Sequence, residues 1–108
     1  MAKFDIIKRN ALESVENALQ NIESYLNATQ DGLKDHISKS LLMDFKDKLL
    51  KARSLITQKE LIARIEDYRF MGRVIVDSWP KNTMLGNSIL AAERNICKYH
   101  KEITIKNG

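Results

Sequence analysis

The chain has 108 residues, with 18 Lys and Arg against 14 Asp and Glu, and 44% of it is hydrophobic. That length holds one domain, expected to span residues 1–108, with a real but modest core. One Pro and four Gly are too few for a loop-rich or all-β protein, the ordinary apolar and charged fractions exclude whole-chain disorder, and a lone Cys97 excludes an internal disulfide.

The first predicted element runs from about Phe4 to Leu26. Leu12, Val15, Leu19, Ile22 and Leu26 recur at spacings of three and four, which lines one face of a helix, and Ala11, Ala18 and Tyr25 widen it. The stripe covers two heptads, too few for a long coiled coil. Asn27 to Gly32 supplies a turn, with Asp31-Gly32 as its breaker. A second helix is expected from about Leu33 to Ile56, with the stripe Ile37, Leu41, Phe45, Leu49, Ala52 and Ile56. Lys39, Lys46 and Arg53 repeat every seven residues on another face, expected to be solvated rather than to track phosphates.

Thr57-Gln58-Lys59-Glu60 has the pattern of a capping box and predicts a helix start at a tight corner, or a kink in one continuous helix. The third helix is expected to reach Trp79 through Leu61, Ile65, Tyr68, Gly72 and Ile75. Gly72 costs helix propensity and admits close approach of another helix. From Glu66 to Trp79 the segment is apolar on nearly every side, apart from a narrow strip of Glu66, Arg69, Arg73 and Asp77. Such a helix is either central to a bundle or shared with a partner. Tyr68, Arg69, Phe70, Met71, Arg73 and Trp79 are therefore the expected partner-binding residues, since aromatic residues, Met and Arg are enriched at interfaces. A homodimer through this helix is preferred over a purely central position, because closed two-fold pairs are the commonest oligomers.

Pro80 closes the third helix. Asn82 or Asn87 is expected to cap a fourth, with the stripe Leu85, Ile89, Ala92, Ile96, Tyr99 and Ile103 and frayed ends from Ile105. The sum is an all-α antiparallel four-helix bundle, or three long helices with a shorter fourth.

Residues 81–108 carry five bases and two acids, so the last helix is mildly basic, compatible with nucleic acid or an acidic partner. Metal ligation is not expected: His36, His100 and Cys97 lack ligand spacing, and the pairs Asp31/Asp35 and Asp44/Asp47 sit among lysines. No cofactor fingerprint is present. Thr57 to Ala63 looks like the opening of a repressor-type helix-turn-helix, but Asp67 stands where a left-handed Gly is needed, and Phe70 to Trp79 is too apolar for a major groove. With no export signal, no apolar run long enough to span a bilayer and one thiol, a cytoplasmic setting is expected.

Arg94-Asn95-Ile96-Cys97-Lys98-Tyr99-His100 resembles the signature of HEPN-type ribonucleases, helical bundles that cleave RNA as dimers. The resemblance covers seven residues. It implies that Arg94 and His100 act on a scissile phosphate without metal, with Asn95 the third residue of the motif to carry over. The leading expectation is instead a small non-enzymatic adaptor, inhibitor or regulator that binds another protein. A nucleic-acid-binding or RNA-cleaving bundle is the alternative.

Overall fold

The computed structural model describes residues 2–28, 39–79 and 83–107. Within them lie α1 (Lys3–Ala28), α2 (Lys39–Thr57), α3 (Ile65–Ser78) and α4 (Met84–Asn107), with no strand among the described residues. The turn after Ala28, the start of the second helix with Asp31, Asp35, His36 and Ile37, and Pro80 and Asn82 lie outside the described residues.

The helices form an all-α four-helix bundle. α1 packs on α2 and α4, and α4 packs on α3, so the spatial order is α2, α1, α4, α3. Side-chain pairs fix the directions. Glu16 meets Arg53 at 2.6 Å and Glu23 meets Lys46, which sets α1 antiparallel to α2. Lys3 meets Glu102 at 3.5 Å, and the Phe4 and Tyr99 rings lie 5.8 Å apart, which sets α1 antiparallel to α4. Lys46 and Arg53, expected to be solvated, are thus matched by carboxylates on α1. Partly exposed pairs of this kind contribute about 0–1 kcal/mol each.

The core follows the expected stripe closely on α4, while on α1 it shifts toward the flanking Ala11 and Ala18, with Leu12 and Leu26 only partly buried. Ala11, Val15, Ala18, Leu19 and Ile22 are buried on α1, and all six expected positions from Leu85 to Ile103 are buried on α4. On α2 the stripe is rotated slightly, with Leu42 fully buried and Leu41 only partly so. α4 continues as helix to Asn107, beyond the expected fraying point at Ile105.

α3 departs most from expectation. It is the shortest helix at 14 residues, so the short element is the third and not the fourth. It is also peripheral, with α4 as its one principal neighbour among the described residues. Tyr68, Met71, Gly72 and Ile75 face the core, while Phe70 and Val76 are 53% and 64% exposed. α3 therefore does not sit at the centre of the bundle.

The capping-box signal is read at the opposite end from the one expected. Thr57 is the last residue of α2, and its Oγ1 donates to the Arg53 carbonyl at 2.7 Å instead of capping a new helix. Lys59 takes the left-handed conformation (φ 59°), and two bonds close a Schellman turn: Lys59 N–H to Ile56 O at 3.0 Å and Glu60 N–H to Leu55 O at 2.9 Å. The chain then buries Ile62 and restarts as helix at Ile65, with Arg64 (φ 58°) in an N-cap position that has no side-chain cap. Tyr99 on α4 pins this corner, donating its hydroxyl to the Glu60 carbonyl at 2.7 Å. Burial, with the Glu60 carboxylate adding to it, pushes the phenol up to about 12. α3 ends at Ser78, and Trp79 turns to extended backbone (ψ 156°), as a residue before proline must.

α4 is capped by Thr83 and not by Asn87: the Gly86 N–H donates to Thr83 Oγ1 at 3.0 Å. Gly86, rather than Gly72, marks the close approach. A Cβ on Gly86 would lie 2.8 Å from Thr83 Oγ1 and 3.3 Å from Ile75 Cγ2, whereas one on Gly72 would meet only the Glu93 and Leu90 side chains at 3.4 and 3.5 Å. Gly72→Ala is therefore expected to stabilise the fold by up to about 1 kcal/mol through helix propensity. Gly86→Ala is expected to destabilise it by about 1–2 kcal/mol, through loss of the cap and crowding of Ile75. Thermal unfolding of the two variants checks both signs.

Candidate functional site: the α3–α4 groove

Because α3 is shorter than α4 and rests on one side of it, a groove of about 1020 Å³ runs along the seam between them. α3 contributes Arg69, Gly72, Arg73, Val76 and Asp77. α4 contributes Leu90, Glu93, Cys97, His100 and Thr104, with Arg94, Lys98, Lys101 and Ile105 at spacings of four, three and four along one face. Gly72, Val76, Leu90 and Ile105 supply its apolar part. Val76 and Ile105 are each 64% exposed. The bases Arg69, Arg73, Arg94, Lys98 and Lys101 face only two acids, Asp77 and Glu93, a formal surplus of three positive charges.

The polar centre is a small cluster. The Cys97 thiol donates weakly to Glu93 Oε1 at 3.9 Å, and Arg69 donates to Glu66 at 2.8 Å. Burial pushes the Glu93 carboxyl up, and it pushes the Cys97 thiol up too, although the neighbouring Arg69 opposes it. A thiol held above its ordinary range is protonated at neutral pH and is a weak nucleophile. The Nδ1 atom of His100 is buried with no hydrogen-bond partner. No group of three or more His, Cys, Asp or Glu able to hold a metal ion exists among the described residues.

The expected site residues divide. Tyr68, Met71 and Trp79 are 3%, 0% and 6% exposed, so the chain's own core uses them. Arg69 and Arg73 line the groove, and Phe70 stands exposed on α3 outside its lining. Arg94 and His100 both line the groove, while Asn95 does not. Leu90, Lys98, Lys101 and Ile105 on α4 are not singled out as site residues by the sequence. The four-three-four spacing from Arg94 to Ile105 is the signal that marks their shared face.

Comparison of the chain with protein families, characterised proteins and solved structures returns no match. No described helix is long and apolar enough to cross a membrane.

Proposed function

We propose that the chain is a small non-enzymatic binding protein, an adaptor, inhibitor or regulator, that docks another protein on its α3–α4 face. The observation that carries this reading is the groove itself, a concave surface with apolar side chains in its lining and a basic rim, which no other helix of the described chain fills. Concave, partly apolar surfaces are where binding energy concentrates. The half-exposed Phe70 on the same helix extends the available surface and is where a second copy would seat in a homodimer. Sedimentation equilibrium of wild type and Phe70→Glu tests that part. The main reading is tested by affinity capture from a lysate of the source cells, with and without nuclease. A protein partner retained after nuclease supports it, and capture that vanishes with the nucleic acid opposes it.

One observation favours an RNA-cleaving reading: Arg94 and His100 share the groove with four more cations. Set against it, Asn95 is not in the lining, and no aromatic side chain but His100 is available for stacking bases. Purified protein is expected to leave RNA intact in the absence of metal. Metal-independent cleavage that disappears in both Arg94→Ala and His100→Ala would establish the nuclease instead.

A further inference from the structure

We propose that the α3–α4 groove accepts an acidic amphipathic helix of a partner protein. The inference rests on the protein-binding reading above and names the chemistry of the partner. Charge carries it first. On the α1–α2 face, Lys46 and Arg53 are matched within the chain by Glu23 and Glu16. On the groove, Arg73, Lys98 and Lys101 make no ion pair with any described residue. A complementary occupant therefore carries carboxylates. Lys98 and Lys101 stand three apart on α4, one turn along the seam, which is the spacing at which a helix lying beside them would offer Glu or Asp.

Apolar chemistry carries it second. Val76 and Ile105 leave water only under a ligand with apolar side chains. Gly72, having no Cβ, leaves the neighbouring Leu90 side chain accessible to such a group. An occupant with one apolar and one acidic side is an amphipathic helix laid in a groove. An extended peptide would have no sheet edge to join, since the described chain has no strand. A single-stranded nucleic acid would supply the charge, but its bases would find no Phe, Tyr or Trp in the lining on which to stack. A second copy docked through the same face would bring together two surfaces of the same positive sign.

The test is fluorescence anisotropy with a labelled synthetic peptide of about five helical turns. It carries Leu at helix-face spacing and Glu elsewhere. A matched peptide with Lys for Glu and a short single-stranded RNA serve as the other probes. The full chain is expected to bind the Glu peptide and not the Lys peptide, more weakly as salt rises. Lys98→Glu/Lys101→Glu is expected to weaken binding about tenfold or more, because like charges then oppose one another across the contact. Val76→Asp is expected to weaken it as well, and both changes are on exposed positions that leave the helical spectrum unaltered. Equal binding of the Lys peptide, no binding of the Glu peptide, tighter binding of the RNA, or unchanged affinity in both variants would overturn the inference. A protein captured from lysate equally well by wild type and Lys98→Glu/Lys101→Glu would overturn it while leaving the general binding role intact.

Discussion

Ile75→Asp is expected to lower stability by about 3–5 kcal/mol, because it leaves an uncompensated carboxylate in an apolar site. Ile75 is 5% exposed, and its Cγ2 lies against Gly86, where α4 begins and Trp79 closes the seam. Ile75 shares the buried face of α3 with Tyr68, Met71 and Gly72, so the charge is placed among the contacts that seat this helix. Out of a typical domain stability of about 5–15 kcal/mol, such a loss is a large fraction. Lys46→Asp is the control. It removes an ion pair and opposes Glu23 with a like charge, at a cost of about 1 kcal/mol or less, since both partners are partly exposed. Urea unfolding separates the two, and comparable midpoints would mean that the core is misplaced.

Phe45→Ala is expected to cost a further class of contact, again about 3–5 kcal/mol. Phe45 is fully buried on α2, and its ring lies 5.9 Å from that of Trp79, tilted by 35°. α2 and α3 are not a principal packing pair, and this aromatic contact is one link between α2 and the end of α3. Removing it leaves a cavity and also frees the end of α3. A double-mutant cycle of Phe45→Leu and Trp79→Leu is expected to give a coupling of about 0.5–1.5 kcal/mol. Trp79 is the sole tryptophan, so its emission reports the same site during unfolding. A loss under about 1 kcal/mol in Phe45→Ala, with no coupling in the cycle, would contradict the role given to this pair.

Helical periodicity made most of the architecture legible. The stripe on α4 is buried at all six expected positions, as fits a helix that packs on both α1 and α3. The α2–α3 corner was misread for a specific reason. Thr-x-x-Glu is a helix-start pattern only if the Thr backbone leaves the helix, and here Ile56 and Ile62 are both drawn into the core, which holds Thr57 in α2 and forces Lys59 into a left-handed turn. Side-chain composition favoured Asn as the cap of α4, but Gly86 decided it by leaving room for the Thr83 hydroxyl. The position of α3 was not legible at all, since an apolar helix reads the same whether it is surrounded or shared.

The site was legible in part. Arg69 and Arg73 were picked out for their place beside apolar residues, and Arg94 and His100 for a seven-residue pattern. That these four meet in one groove depends on α3 lying antiparallel on α4, a long-range relation that local spacing does not encode. Tyr68, Met71 and Trp79 were assigned to a partner because their chemistry suits an interface. The same chemistry suits a core, and the core uses them.

Affinity capture on paired baits tests the central claim most directly. Wild type and Lys98→Glu/Lys101→Glu are immobilised and exposed to the same nuclease-treated lysate. The account predicts a protein retained by wild type and lost from the variant, with both baits equally helical. A captured protein that binds both baits alike, or a wild-type bait that retains no protein from the nuclease-treated lysate, would contradict it.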